Sequence, residues 1–277
     1  MSLSRVKTLV IAMLAAINVF FLVIILADNY ADSRSERQAI DNVCAVLRSN
    51  DISIEPGCIK ADNSLRTMRT AREAVPEADA ASALLGSVEM TDQGGGIHLY
   101  ENPERGTATF SSAGDFEFQL KEGVIQSGEG AQQTVRGLLR DMKLEEAALS
   151  AEADKDNDRE AVAVISAYKG ASFFNFTIDF EFVGGSLRTV KGRYVTGIEP
   201  LDGGEKISHV STALLEFLAA VKRGEAECGR IDGVESGYQH SVTSSFDEGM
   251  ITPAWLITTD AGRYLMDDAT GDIRLMS

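Results

Sequence analysis

Five residues in the middle of this sequence have the carboxylate spacing that opens a calcium-binding loop. They are Asp154-Lys155-Asp156-Asn157-Asp158. Such a loop also needs Gly at its sixth position and Glu at its twelfth, because the chain must turn sharply and close on a bidentate ligand. Those positions hold Arg159 and Ile165. The segment is therefore predicted to be a solvated turn without calcium.

A second short motif, Ser166-Ala167-Tyr168-Lys169, matches the Ser-x-x-Lys spacing of penicillin-interactive enzymes. That chemistry needs the serine at the start of a helix and a companion Lys-Thr-Gly strand. Ser166 instead lies in a segment that alternates like a strand, and Lys191-Gly192 lacks the threonine. We therefore predict a strand here and no acyl transfer.

The remaining residue types indicate no reaction centre. His98, His209 and His240 are far apart, and the sequence has no His-Glu-x-x-His, Cys-x-x-Cys or Gly-x-Ser-x-Gly motif. We predict a protein that is not an enzyme, with no catalytic residues, no metal site and no cofactor.

Three cysteines are too few for a disulfide scaffold. Cys44 is predicted to be a buried apolar residue on a helix. Pairing of Cys58 with Cys228 or with Cys44 stays open, and the odd count leaves at least one thiol free.

Residues 9–27 form an apolar run that only Asn18 interrupts. As a helix it would span ~28 Å, close to the hydrocarbon thickness of a bilayer. Arg5 and Lys7 precede the run and acidic residues follow it, so the amino terminus is predicted to be cytoplasmic and the rest extracellular. A cleaved signal peptide is the alternative, but its apolar core is usually ~7–15 residues long.

Small residues within this run favour contact with another membrane helix. Ala12, Ala15 and Ala16 share one side of the helix, where backbones can approach closely. Asn18 lies on an adjoining side and can hydrogen-bond across such a contact. These four residues are the predicted contact with a partner's membrane helix.

The net charge of the whole chain is −16, and all of its acidic residues follow this run. Residues 1–27 carry only Arg5 and Lys7, so the remainder has a charge of −16 − 2 = −18. Such a surface argues against nucleic acid and against docking on anionic lipid. A hydrophobic fraction of 44% is ample for a packed core.

Hydrophobic periodicity after residue 33 predicts helices over 33–50, 78–85, 130–148 and 208–221, with short alternating strands between them. A helix followed by a small antiparallel sheet recurs about three times, which predicts the α+β class. The predicted organisation is a cytoplasmic tail (1–8), a membrane helix (9–27), an N-terminal external α+β region (28–128), a middle helix-plus-sheet unit (129–200) and a C-terminal helix-plus-sheet unit (201–277).

The last segment has the pattern of a closing hairpin. Trp255 and Tyr264 are predicted to pair across its two strands and to cover a helix. Gly271 is predicted to supply a turn that needs positive φ.

Both ends of the chain resemble one family. Ser4-Arg5-Val6-Lys7-Thr8, followed by Asn18-Val19-Phe20-Phe21-Leu22, resembles the amino terminus of YycI. Pro253-Ala254-Trp255-Leu256-Ile257, Gly262-Arg263-Tyr264 and the turn Asp268-Ala269-Thr270-Gly271-Asp272-Ile273 resemble the closing hairpin of YycI and of PepSY-like modules. The chain departs from the family in lacking a Trp before Ser4.

YycI proteins are membrane-anchored regulators of a two-component system in Gram-positive bacteria, and YycH is their sister protein. The resemblance implies one membrane helix, an external α+β domain with a PepSY-like C-terminal unit, and no enzymatic activity. It implies contacts with a WalK-like sensor histidine kinase of cell-wall homeostasis and with a YycH-like sister. Two alternatives stay open, namely an anchored PepSY-type inhibitor of an envelope protease and an anchored cell-wall enzyme.

Overall fold

The computed structural model describes residues 35–71, 74–111, 114–128, 130–154, 158–193, 197–242 and 248–276. The predicted membrane segment 9–27, with Ala12, Ala15, Ala16 and Asn18, lies outside these ranges. Among the helices within them, none is long and apolar enough to cross a membrane.

The described ranges contain four α-helices, a short 3-10 helix and sixteen strands. The helices are α1 (35–48), α2 (Ala74–Leu85), α3 (Ala131–Asp141) and α4 (Val210–Arg223), and the 3-10 helix is Pro56–Cys58. The strands are β1 (Ser53–Ile54), β2 (Ile59–Lys60), β3 (Met68–Ala71), β4 (Glu89–Gly94), β5 (Ile97–Asn102), β6 (Gly106–Phe110), β7 (Asp115–Leu120), β8 (Glu145–Asp154), β9 (Arg159–Tyr168), β10 (Ala171–Val183), β11 (Ser186–Arg193), β12 (Glu199–Pro200), β13 (Arg230–Val242), β14 (Glu248–Thr259), β15 (Arg263–Asp267) and β16 (Ile273–Met276).

The amphipathic patterns predicted α1 and α4 correctly. In α1 the helical spacing buries Val43, Cys44 and Leu47. Helix α4 is capped by Gly224, which takes a left-handed conformation (φ 78°) and donates its N–H to the carbonyls of Ala220 and Val221. The apolar spacing and the capping glycine lie within or next to each helix. They can therefore be recognised in the sequence without knowledge of the fold.

The predicted helix 130–148 is too long. Helix α3 ends at Asp141, Lys143 turns the chain with φ 58°, and β8 begins at Glu145. The run from 145 to 148 has good helix formers, but β8 pairs with β9 along its whole length. Cross-strand pairing therefore overrides the weak local preference for a helix.

The strands form one mixed sheet of sixteen strands. Its main path runs β12-β3-β14-β13-β10-β11-β7-β6-β5-β4. Most pairs are antiparallel, but β1, β2 and β10 each pair in parallel with β13.

The predicted fold class is therefore wrong: the strands do not form about three small antiparallel sheets, each with its own helix, but one large mixed sheet. The segments do form strands, but β3 pairs with β14 and β1 with β13, across most of the chain. Strand pairing at such separations depends on global packing, which a local pattern does not contain.

Two hydrophobic cores lie along this sheet. The first core holds α1 and α4 against β13, β14 and β15, and so joins residues from both ends of the described chain. The second core holds α2 and α3 against the other half of the sheet. Its centre is a group of aromatic residues in edge-to-face and tilted contact, namely Tyr100, Phe110, Phe116 and Phe118.

The closing hairpin has a register that differs from the predicted one. Trp255 lies opposite Met266 and Tyr264 lies opposite Ile257, so the two aromatic residues are not direct partners. Tyr264 packs on Phe217 of α4, with ring centroids 5.6 Å apart. The turn that follows contains Gly271 with φ 73°, in the left-handed region that glycine favours.

Candidate functional site

Of the two short motifs, the Ser-x-x-Lys segment lies at the end of β9 and in the turn after it, and residues 155–157 of the acidic segment lie outside the described ranges. Ser166 is buried within β9, and Asp158 lies in the turn before that strand. In the described part of the chain, no group of three or more His, Cys, Asp or Glu residues could hold a metal ion.

The cysteines and two of the histidines lie in surroundings that disfavour catalysis or explain their position in the fold. All three cysteines are free, and burial raises the pKa of each thiol, that of Cys228 to about 11. Thiols with raised pKa values are poor nucleophiles at neutral pH. His98 Nδ1 lies 2.8 Å from the buried Glu77 Oε2. Burial, and secondarily the nearby charge of Arg193, lowers the pKa of His240 to about 4, so its ring stays neutral.

The strongest candidate site is a cleft of about 650 Å³ beside the turn that joins β9 to β10. We call it the β9–β10 cleft. It is lined by Lys60, Ala61, Asp62, Ala148, Ile165, Lys169, Gly170, Ala171, Ser172, Phe174, Glu235, Ser236, Leu256 and Arg263. Its walls therefore come from seven strands and the loops beside them.

The apolar floor of the cleft follows from strand alternation. Successive residues of β14 face opposite sides, so Trp255 and Ile257 enter the first core. Leu256 faces the other side, where it packs with Phe174, Ala254 and Leu265.

Phe174 is held in this floor by a close approach between β10 and β13. A Cβ atom added at Gly237 would lie 2.5 Å from the Phe174 ring and 2.6 Å from the Ser172 carbonyl oxygen. Glycine at this position lets the two strands approach, and so places the ring beside Leu256.

We therefore expect Gly237→Ala to lower the free energy of unfolding by ~1–3 kcal/mol, because the ring and the backbone must both shift. Gly233→Ala on the same strand is the matched control. Its added Cβ would meet Thr258 at 3.6 Å, an ordinary contact. Urea unfolding followed by circular dichroism measures both variants, and equal effects would contradict the close approach.

One side of the rim holds two carboxylates, Glu235 and Asp62, each of which already has a partner within the protein. Lys60 Nζ lies 3.4 Å from Glu235 Oε1. The backbone N–H of Asp62 donates to Ser236 Oγ at 2.6 Å, and the N–H of Ser64 donates to Asp62 Oδ1 at 2.8 Å. Hydrogen bonds from Ser64 lower the pKa of the Asp62 carboxyl, which stays ionised at neutral pH.

The other side of the rim holds two cations. Lys169 and Gly170 form a two-residue turn in which both have positive φ (51° and 82°), as in a type I′ hairpin. Lys169 Nζ lies 5.1 Å from the centre of the Tyr168 ring. Arg263 is exposed at the start of β15. Within the described ranges, neither cation has a carboxylate at ion-pairing distance.

Sequence reasoning did not find this cleft. Lys169 drew attention only as part of Ser-x-x-Lys, and Arg263 only as part of the closing hairpin. The Lys-Gly pair between two alternating segments is a usable signal for a tight turn that exposes a lysine. Nothing local in the sequence links that turn to Arg263.

The hairpin residues that the sequence singled out are structural in this fold. Trp255 and Tyr264 are buried on the helix-covered face, away from the cleft, and Gly271 lies in a turn.

Comparisons with known proteins give structural likenesses but no family. No family model matches the chain, and no curated protein matches it. Among solved structures, it is similar to an uncharacterized protein from Eubacterium rectale ATCC 33656, with a TM-score of 0.49 and 10% sequence identity. The likeness covers 82% of this chain and 90% of that chain. At this level it carries no inference about function.

Proposed function

We propose that this protein is a single-pass regulator of the cell membrane that modulates a WalK-like sensor histidine kinase and contacts a YycH-like sister protein. The observation that carries the proposal is the attachment of α1. The described part of this helix starts at residue 35, with residues 28–34 between it and the apolar run 9–27, and Val43, Cys44 and Leu47 are buried in the first core.

Hydrogen bonds also hold the C-terminal end of α1, in addition to the packing of its apolar face. The N–H of Ile52 donates to the Leu47 carbonyl at 3.1 Å, and the Arg48 guanidinium donates to the Ile54 carbonyl at 3.2 Å. Strand β1 then pairs with β13 in the centre of the sheet. A helix held at its face and its end moves with the sheet, so an external event would be carried toward the membrane segment.

Such a connection suits a regulator. A kinase in equilibrium between two states responds to a ligand or partner that favours one state by a few kcal/mol. Under this proposal Ala12, Ala15, Ala16 and Asn18 provide that preference by packing beside the kinase's membrane helices.

The membrane contact is tested by Ala12→Leu with Ala16→Leu, because two larger side chains separate closely packed helices. Kinase output, read from a reporter of its response regulator, should change in this double variant. Leu22→Val with Ile25→Val, at the other end of the run, is the matched control and should leave output near wild type. Normal output with an unrelated membrane anchor would contradict the proposal and favour the anchored inhibitory module.

The role of α1 is tested separately by inserting Gly-Ser-Gly-Ser-Gly-Ser after Asp32. The insert uncouples α1 from the run 9–27 without altering the contact residues. Kinase output, read from the same reporter, should then no longer depend on the state of the external domain. The same insert after Gly95, in the exposed turn between β4 and β5, is the control and should be tolerated. An unchanged response with the first insert would show that α1 transmits nothing.

A further inference from the structure

We infer that the β9–β10 cleft binds short peptides that end in a free carboxylate after an apolar residue. Lys169 and Arg263 would receive the carboxylate, and the floor of Phe174 and Leu256 would receive the apolar side chain. This inference stands independently of the proposed kinase regulation, because it rests only on the residues that line the cleft.

Charge is the first argument. The chain carries −16 overall, yet the cleft has three cations, Lys60, Lys169 and Arg263, against the carboxylates of Asp62 and Glu235. Lys60 is engaged by Glu235, which leaves the other two cations for a ligand. A group of cations raises the local concentration of anions, even on a protein whose net charge is negative. Lysine and arginine bind carboxylates through charge-assisted hydrogen bonds.

Shape and polarity are the second argument. The volume of about 650 Å³ lies within the range of small-molecule sites, which combine an apolar wall with a few polar groups. Phe174, Leu256 and Ile165 supply that wall. One apolar side chain beside a carboxylate is the arrangement at the carboxyl end of a peptide.

The polar lining favours a peptide over a fatty acid. Ser236 Oγ accepts the Asp62 N–H, and its own O–H remains able to donate. Ser172, Asp62 and Glu235 also line the cleft. A peptide has N–H donors for the carboxylates and carbonyls for the hydroxyls. An alkyl chain would displace the water molecules bound to these polar groups. It would offer no hydrogen bonds in their place, which costs free energy.

The test measures binding to the full-length protein in uncharged lipid nanodiscs by isothermal titration calorimetry. The probes are Ala-Ala-Phe, Ala-Ala-Leu and Ala-Ala-Ser, each as free acid and as carboxyl-terminal amide, together with octanoate. We expect the Phe and Leu acids to bind best. Their amides should bind about tenfold or more weakly, because they lose a charge-assisted contact. The Ser peptide and octanoate should also be weaker.

The variant for this test is Lys169→Asn with Arg263→Gln. Asn before Gly is the preferred pair in a type I′ turn, so the first change removes the charge and keeps the hairpin. This variant should bind the acids no better than the amides. Arg37→Gln with Lys222→Gln removes the same charge from exposed helix positions outside the cleft and should bind like wild type.

Three results would overturn the inference. They are equal affinity for acids and amides in the wild-type protein, octanoate binding as tightly as the peptides, and no heat of binding from any peptide at millimolar concentration. Because no kinase is present in this experiment, its failure leaves the proposed regulation untouched, and failure of the signalling tests leaves the cleft untouched.

Discussion

Trp255→Ala is expected to lower the free energy of unfolding by ~3–5 kcal/mol, since it removes a large buried aromatic residue. Trp255 is fully buried in the first core. Its indole N–H donates to Asp268 Oδ1 at 2.9 Å, and Asp268 also accepts hydrogen bonds from the backbone and hydroxyl of Ser208, just before α4. The substitution therefore leaves a cavity and weakens the link between the hairpin and the start of α4.

Circular dichroism during urea unfolding measures this effect, because Trp255 is the only tryptophan of the chain and its fluorescence disappears with it. Trp255→Phe should cost less, because it keeps most of the apolar volume and loses the hydrogen bond to Asp268. Leu275→Ala on β16 is the control. Leu275 is 62% exposed, so its loss should stay within about 0.5 kcal/mol. If Trp255→Ala were as mild as the control, Trp255 would not belong to the core.

Phe118→Ala is expected to have a similar effect in the second core, again ~3–5 kcal/mol. Phe118 is fully buried and makes edge-to-face contacts with Phe110 and Phe116, at centroid distances of 5.8 and 5.6 Å. Such aromatic contacts add to the free energy of burial. Met90→Ala on β4 is the control, because Met90 is 53% exposed near an edge of the same sheet.

This variant also tests whether the two cores unfold together. Strand β10 pairs with β11 in one half of the sheet and with β13 in the other, so damage to either core should reach both. Trp255 fluorescence reports on the first core, and circular dichroism reports on the whole chain. In Phe118→Ala the two transitions should coincide and shift together. A fluorescence transition that stayed at the wild-type midpoint would mean that the cores unfold independently.

The cleft illustrates why a candidate site can escape sequence reasoning. Lys60 and Arg263 are about two hundred positions apart in the chain, and Lys169 lies between them. No motif spacing connects them, because they reach one cleft only through the pairing of β2, β10 and β14 around β13. A cleft whose charged residues come from distant strands therefore leaves no recognisable motif in any short stretch of sequence.

The sequence by itself determined the elements whose cause is local. The apolar spacing of Val43, Cys44 and Leu47 specifies the buried face of α1, and the alternation around Trp255 specifies a strand with two distinct faces. Only the tertiary structure decided which strands pair, that 145–154 is a strand, and that the sheet is continuous. The physical reason is that hydrophobic periodicity depends on neighbours within a few residues. Strand partners and register depend instead on which distant surfaces can be buried together.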